Sequence, residues 1–186
     1  MLFRSKDPNL PDGVPIVRMV EPELTQGMSE YVTMHVLRYH REVPALEQQQ
    51  RDKVWHELIA PTAPSRKVGI LGLGVLGQDC ARVLHALKFD LASWSRTPKQ
   101  VDGVQSFHGA DGLDPFLART EILVCLLPLT AETEGILNRD LFAKLPRGAA
   151  LINAGRGGHQ VEADILEALD DGQLSDRKST RLNSSH

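Results

Sequence analysis

The sequence contains few of the residues that mark a disulfide framework or a metal site. Only two of its 186 residues are cysteines, Cys80 and Cys125, and they form no C-x-x-C motif. Both lie in apolar surroundings, which predicts buried free thiols in a reducing compartment rather than a disulfide or a catalytic nucleophile. The histidines of the predicted helices have no partner at metal-ligand spacing such as H-E-x-x-H, so no metal site is predicted.

A strong net charge and long apolar runs are also missing. The formal net charge is -3, and no apolar run approaches the ~20 residues of a membrane span. The amino terminus, M-L-F-R-S-K-D-P, lacks the apolar core of a signal peptide. We therefore expect a cytoplasmic protein with no nucleic-acid or membrane partner. A hydrophobic content of 41% and a charged content of 24% are typical of a globular domain.

The sequence does contain a glycine-rich turn between a short apolar run and a helical pattern. Lys67–Leu71 predicts a strand buried on both faces of a parallel sheet. Gly72, Gly74 and Gly77 follow with the spacing G-x-G-x-x-G, and a second strand is predicted at 91–94. This spacing, placed after a strand and at the start of a helix, predicts dinucleotide binding rather than a purely structural turn.

Each glycine of the turn has a predicted role. Gly72 permits the tight turn, Gly74 leaves room for a pyrophosphate, and Gly77 lets the helix pack closely. The free N–H groups at the helix start, at Val75 and Leu76, would then face the phosphates.

Further strands and helices alternate along the chain, which predicts an α/β fold with a doubly wound, Rossmann-like parallel sheet. The dinucleotide-binding domain is predicted at 16–175. Its other predicted strands are 16–19, 104–107, 122–126 and 149–153. The predicted helices and helical pieces are 25–40 with Thr25 as N-cap, 45–58, 113–118, 134–138, 139–145 and 162–169, the last with Gly172 as its C-cap.

Ligands of such a sheet lie across the carboxyl ends of its strands. The loops expected there begin at residues 72, 95, 127 and 153, and together they predict one cofactor site. Besides Gly72, Gly74, Val75, Leu76 and Gly77, the candidate cofactor-binding residues are Ser95, Arg96, Thr97, Leu127, Pro128, Thr133, Asn153, Ala154 and Gly155.

The residues after the second strand predict which dinucleotide binds. An acidic residue there would hold the ribose of NAD, but the chain has Ser95-Arg96-Thr97, with Lys99 nearby. A guanidinium and a serine hydroxyl suit a 2′-phosphate, so NADP is the preferred cofactor and NAD the alternative. Asp90 lies at the wrong end of the strand. The competing interpretation is that Arg96 is merely solvated.

Arg156 is the predicted catalytic residue. It lies in a G-R-G-G turn directly after a buried strand, where its guanidinium could bind a keto acid's carboxylate and polarise the carbonyl. Taken alone, a loop arginine is more often a surface charge. His159 follows three residues later and is interpreted as a polar residue at a helix entry, displaced from the site.

The end of the sequence, residues 176–186, reads D-R-K-S-T-R-L-N-S-S-H. It looks like the in-frame translation of a sequencing adapter, so we expect a non-native tail and leave it out of the fold assignment. A natural disordered tail is the alternative.

Several motifs together resemble one enzyme family. They are L-G-L-G-V-L-G, S-W-S-R-T, L-L-P-L-T-A-E-T-E-G-I-L and L-I-N-A-G-R-G. The chain is similar to the D-isomer-specific 2-hydroxyacid dehydrogenases, and M-S-E-Y-V-T-M-H-V-L-R-Y-H-R with W-S-R-T is most similar to the glyoxylate/hydroxypyruvate reductase A branch. The resemblance implies hydride transfer from NADPH to a small 2-keto acid, with Arg156 binding the substrate.

The resemblance also implies what this chain does not contain. The family's acid–base histidine and the glutamate that orients it come after residue 175, and most of the substrate-binding domain is missing, with residues 1–15 as its candidate remnant. We therefore expect the truncated chain to be inactive. The family further implies a homodimer through the segment that includes the helix at 28–40, although packing in the monomer core would explain that helix equally well. A nucleotide-sensing regulatory module, similar to a corepressor, is the alternative function.

Overall fold

The structure, a computed structural model, describes residues 21–179. The helices are α1 (Pro22–His40), α2 (Val43–Asp52), α3 (Val75–Ala86), α4 (Leu113–Ala118), α5 (Arg139–Phe142) and α6 (Glu162–Asp170). The strands are β1 (Lys67–Leu71), β2 (Asp90–Ser95), β3 (Val104–His108), β4 (Ile122–Cys125), β5 (Ala149–Asn153) and β6 (Leu174–Ser179). The predicted strand at 16–19 and the candidate remnant at 1–15 lie outside the described residues.

The six strands form one parallel sheet in the order β3-β2-β1-β4-β5-β6. This architecture confirms the predicted doubly wound fold. The strand order reverses between β1 and β4, which pair with Leu71 opposite Cys125. Doubly wound sheets bind ligands at the carboxyl ends of the strands where the order reverses, so this edge is the expected ligand site.

Two apolar clusters, one on each face of the sheet, make up the core. One contains Val32 and Val36 of α1 together with Ile70 of β1, and the other contains Phe116 of α4 with Leu151 of β5. All residues of β5 are buried, as are those of β4, in agreement with the apolar runs that predicted them. The sheet is thus a rigid support for the loops at its edge.

The first helix packs inside this core and begins earlier than predicted. Val32 and Val36 have no exposure to solvent, and Ser29 Oγ donates a hydrogen bond of 2.6 Å to the Asp79 carboxylate of α3. The prediction of Thr25 as N-cap is wrong. The helix starts at Pro22, whose fixed φ suits the first turn, and no side chain caps it.

Two other helix predictions are also wrong. The helix predicted at 45–58 is α2, which ends at Asp52 because Lys53 takes a left-handed conformation with φ 55°. The helical piece predicted at 134–138 is a turn. Its last residue, Asn138, instead caps α5 by accepting a hydrogen bond of 3.0 Å from the N–H of Leu141.

The sixth strand was not predicted, because its sequence beyond Ser175 was excluded as non-native. In the structure β6 continues through this boundary, and Asp176 pairs with Ala150 of β5. Leu174 is buried, while the following residues are polar, as on many edge strands. Residues 176–179, which the sequence analysis left out of the fold, therefore belong to the sheet. The origin of the tail stays a prediction.

Candidate functional site

The glycine turn after β1 leaves little space for side chains at two of its positions. Gly72 has φ +99°, and a Cβ there would lie 3.0 Å from the main chain of Leu126. A Cβ on Gly77 would lie 2.1 Å from the carbonyl oxygen of Gly72. A Cβ on Gly74 would instead meet nothing within 4 Å. The turn is therefore closed where helix and loop meet and open above Gly74, where a ligand could approach the main chain.

The N–H groups at the start of α3 are available to a ligand. Within residues 21–179, the N–H groups from Gly74 to Gly77 have no hydrogen-bond acceptor, and the N–H of Gln78 is the first to bond back, to the Gly74 carbonyl at 2.9 Å. The α3 dipole places partial positive charge at the same point. These groups fit the diphosphate of a dinucleotide without any rearrangement of the turn.

The loop after β2 carries two basic side chains and one serine whose hydroxyl hydrogen is already engaged. Ser95 is buried, and its Oγ donates to the carbonyl of Thr97 at 2.8 Å. Ser95 therefore shapes the turn, and its hydroxyl has no free hydrogen for a phosphate. Arg96 is exposed, and among residues 21–179 it makes no ion pair. Lys99 Nζ donates to the carbonyl of Leu73 at 2.8 Å and so joins this loop to the glycine turn.

The loop after β4 is held by a threonine. Thr133 Oγ1 donates to the Pro128 carbonyl at 2.6 Å and accepts from the N–H of Thr130 at 2.9 Å. The pKa of the Glu132 carboxyl is lowered, first by a hydrogen bond from Thr130 and, to a smaller extent, by the charge of Arg96. Thr133 therefore fixes the turn that follows β4.

The turn after β5 presents Arg156. Asn153 is buried at the strand end, and its Oδ1 accepts from the N–H of Gly155 at 3.1 Å. The Arg156 side chain is exposed, and its Nη1 donates to the Gly155 carbonyl at 3.1 Å. A Cβ on Gly158 would lie 2.9 Å from Leu129, so this turn packs directly on the loop after β4.

The loops after β1, β2, β4 and β5 thus meet at one edge of the sheet, which we call the rim. The predicted convergence of the four loops is confirmed. Asp90, at the opposite end of β2, pairs with Arg119 at 2.6 Å and so lies away from the rim, as expected.

The structure adds the surroundings of His159. The residue does lie at a helix entry, shortly before α6, but it has no exposure, and its Nδ1 lies 3.0 Å from the main-chain nitrogen of Arg156. Local sequence gave no signal for this burial, because the ring is enclosed only in the folded turn, where a Cβ on Gly155 would lie 2.9 Å from its Cε1 and Nδ1.

Other reactive groups are absent from the rim or inactive. Burial raises the pKa of the Cys80 and Cys125 thiols to about 11, so both stay protonated near neutral pH. In the described part of the chain no three His, Cys, Asp or Glu residues are grouped to hold a metal ion. Between residues 21 and 179, no helix is both long and apolar enough to cross a membrane.

Comparison with known proteins identifies the family. The family model described as the NAD binding domain of the D-isomer specific 2-hydroxyacid dehydrogenases matches residues 33–177. The chain belongs to this family. The match includes β1 to β5 and every loop of the rim, so the resemblance found in the motifs is confirmed.

Curated relatives within the family are glyoxylate/hydroxypyruvate reductases A. The protein of this name from Serratia proteamaculans is 47% identical over 166 residues, and the one from Yersinia enterocolitica is 44% identical. The match includes 89% of this chain but 53% of each relative. The chain therefore spans about half the length of the curated relatives it matches.

Solved structures in the family share the fold closely. A D-isomer specific 2-hydroxyacid dehydrogenase from Xanthobacter autotrophicus, in complex with NADPH and MES, superposes with a TM-score of 0.91 at 41% identity, covering 98% of this chain and 75% of that one. The NADPH-dependent glyoxylate/hydroxypyruvate reductase from Sinorhizobium meliloti, in complex with NADP and sulfate, has a TM-score of 0.89 at 48% identity, covering 96% and 58%.

Proposed function

We propose that the chain is the cofactor-binding part of an NADPH-dependent reductase of small 2-keto acids, of the glyoxylate or hydroxypyruvate type. The N–H groups from Gly74 to Gly77, which have no acceptor within residues 21–179, and the open space at Gly74 carry this proposal. Dihydronicotinamide supplies a hydride for reduction of a carbonyl when it is bound. The protein would bind and orient the cofactor and the substrate, and would polarise the substrate carbonyl.

The diphosphate would lie on the glycine turn. The N–H groups of Val75, Leu76 and Gly77 donate to its oxygens, and the open space above Gly74 lets it approach the main chain. Leu127, Pro128, Thr133, Asn153 and Ala154 are the proposed contacts further along the crevice. The apolar Leu127 and the fixed turn at Thr133 give this part of the crevice a defined shape.

Selection of NADPH would depend on Arg96 rather than on Ser95. The Arg96 guanidinium is exposed and can bind a 2′-phosphate with paired hydrogen bonds. Lys99 lies beside it and adds positive charge, while its bond to Leu73 holds the two loops together. The carbonyl of Thr97 accepts the hydrogen bond from Ser95 and so closes the turn that contains Arg96.

Arg156 would bind the substrate. A 2-keto acid presents a carboxylate oxygen and a carbonyl oxygen side by side, and a guanidinium can donate to both. As hydride arrives, negative charge grows on the carbonyl oxygen, and the fixed positive charge stabilises it. Protonation of that oxygen needs an acid. We assign no residue of this chain to that step, so the 186-residue chain should bind cofactor and substrate without measurable turnover.

A homodimer would use the surface of α1, α2 and the segment after α2. Its exposed apolar side chains are Met34, Leu46, Val54, Trp55 and Ile59, and Trp55 is 96% exposed. Single exposed apolar residues are common, but a group of them marks an interaction surface. Sedimentation of the wild-type chain and of Trp55→Glu tests this assignment. We expect the wild-type chain to be a dimer and the variant a monomer. A monomeric wild-type chain would contradict the assignment.

Calorimetric titration with NADPH and NADH tests the main proposal. We expect NADPH to bind more tightly than NADH, and Gly74→Val, whose side chain enters the open space, to abolish binding of both without unfolding the chain. Glyoxylate reduction is then assayed in the protein at the full length of its family. Cofactor binding with no turnover of any 2-keto acid there would favour the regulatory alternative.

A further inference from the structure

Side chains hold both hydrogen-bonding groups of the Arg156 main chain. Its N–H donates to His159 Nδ1 at 3.0 Å, and its carbonyl accepts from Asn153 Nδ2 at 3.1 Å. The carbonyl also accepts from the main-chain N–H of His159 at 3.1 Å. The backbone of Arg156 is therefore fixed from two directions, by the end of β5 and by the short helical turn Gly157–His159.

The His159 ring is enclosed in this turn. It has no exposure, and a Cβ on Gly155 would lie 2.9 Å from its Cε1 and Nδ1, so the ring rests directly on the Gly155 main chain. Its Nε2 is buried and has no hydrogen-bond partner among residues 21–179. An apolar side chain would fill the same space without a buried unpaired polar atom. Packing alone therefore does not explain a histidine here, whereas the acceptor at Nδ1 does.

The bond from the Arg156 N–H requires one of the two ring tautomers. The Arg156 N–H can only donate, so Nδ1 must present its lone pair to form this bond, and a neutral ring then has its hydrogen on Nε2. Nδ1 also lies 3.0 Å from the Arg156 carbonyl. A hydrogen on Nδ1 would serve that carbonyl but would leave the Arg156 N–H without an acceptor.

We propose that His159 is a positioning residue for Arg156: its neutral ring accepts the Arg156 N–H at Nδ1 and so fixes the direction in which the guanidinium leaves the turn. This inference rests on the proposed function, in which Arg156 binds the 2-keto acid. The side chain of Arg156 is exposed, so the direction in which it leaves the turn depends on the conformation of its own main chain. A fixed main chain reduces the freedom that must be lost when the guanidinium meets the substrate.

The ring state is tested in this chain by nitrogen NMR of the histidines and by amide hydrogen exchange. We expect an unprotonated, hydrogen-bonded Nδ1 and a protected Arg156 amide. The amide should lose protection in His159→Leu and keep it in His159→Asn, because the Asn Oδ1 takes the place of Nδ1. A hydrogen on Nδ1, or an Arg156 amide equally protected in His159→Leu, would overturn the proposal.

The consequence for the substrate is tested in the protein at full family length. We expect His159→Leu to lower kcat/KM for glyoxylate about five- to tenfold, the effect of one lost hydrogen bond, with the NADPH dissociation constant unchanged. His159→Asn should recover most of this loss. The control is His85→Leu, an exposed histidine of α3, which should have no effect.

A comparison variant, Arg156→Gln, separates the two proposals. If Arg156→Gln lowers kcat/KM and His159→Leu does not, the positioning role is wrong and the proposed function stands. If His159→Asn is no better than His159→Leu, the positioning role is likewise refuted. If Arg156→Gln has no effect, both proposals fail.

Discussion

Replacement of Arg96 by glutamine should weaken NADPH binding and leave NADH binding nearly unchanged. The substitution should change cofactor binding without changing stability, because among the described residues the Arg96 guanidinium makes no ion pair that the substitution would remove. The hydroxyl hydrogen of Ser95 is engaged with the Thr97 carbonyl, and the Lys99 ammonium with the Leu73 carbonyl. In the described part of the chain the Arg96 guanidinium therefore has all its donors free for a 2′-phosphate, whereas the Lys99 ammonium already uses one of its three.

The magnitude follows from the kind of bond and from its exposure. A hydrogen bond to a charged group contributes about 1.5–3 kcal/mol, and solvent at an exposed site brings this to the lower half of the range. Since ~1.4 kcal/mol is tenfold in affinity, we expect the dissociation constant for NADPH to rise about ten- to thirtyfold. High salt should reduce the difference between wild type and variant.

The assay is calorimetric titration of both cofactors into wild type, Arg96→Gln and a matched control. Arg82→Gln makes the same change in charge on α3, where Arg82 is exposed and pairs with Asp79 at 2.9 Å. The control should leave both affinities within about twofold, because exposed ion pairs contribute little. Equal losses for NADPH and NADH in Arg96→Gln, or no loss for either, would refute the assignment of Arg96 to the 2′-phosphate.

Three further predictions concern stability and activity. Gly77→Ala should lower the free energy of unfolding by about 1–3 kcal/mol in denaturant titrations, because its Cβ would lie 2.1 Å from the Gly72 carbonyl oxygen. The control is Gly74→Ala, whose Cβ meets nothing within 4 Å and which should leave stability unchanged. Burial raises the pKa of Cys80 and Cys125 from 9.0 to about 11, so the folded state binds these protons more tightly and its stability should fall as pH rises from 9 to 11. Cys80→Ala should make the free energy of unfolding fall less steeply with pH, and an unchanged pH dependence would contradict the assignment. Finally, the 186-residue chain should not oxidise NADPH with glyoxylate in a spectrophotometric assay, and measurable turnover would show that an acid is present within it.

The predictions from sequence succeeded where short-range patterns determine structure. The bounds of β1, β5 and α4 agree with the predicted segments residue for residue, because a run of apolar residues between turn signals leaves few alternatives. The predictions failed where the backbone conformation of a single residue ended an element before its sequence pattern did. The helical pattern after Pro44 continued to residue 58, but the left-handed Lys53 ended α2 six residues earlier.

The candidate site likewise has features that local sequence predicts and features that it does not. The glycine spacing was enough to predict the diphosphate turn, since the roles of Gly72 and Gly77 depend on backbone that is close in sequence. The direction of the Ser95 hydroxyl hydrogen could not be predicted, because it depends on the folded turn, where Oγ meets the Thr97 carbonyl. The bond between Lys99 and Leu73 joins residues 26 positions apart, which no local pattern reveals.

The sequence by itself determined the fold class, the family and the residues that follow each strand. Periodicity and glycine spacing are local properties, and parallel strands necessarily bring their carboxyl ends to one edge. Only the tertiary structure decided which of those residues are free to meet a ligand. Burial of His159 and engagement of the Ser95 hydroxyl depend on the folded conformation of their own turns, and the bond from Lys99 to Leu73 joins two loops distant in sequence. No local pattern reveals these contacts, because each depends on the folded backbone.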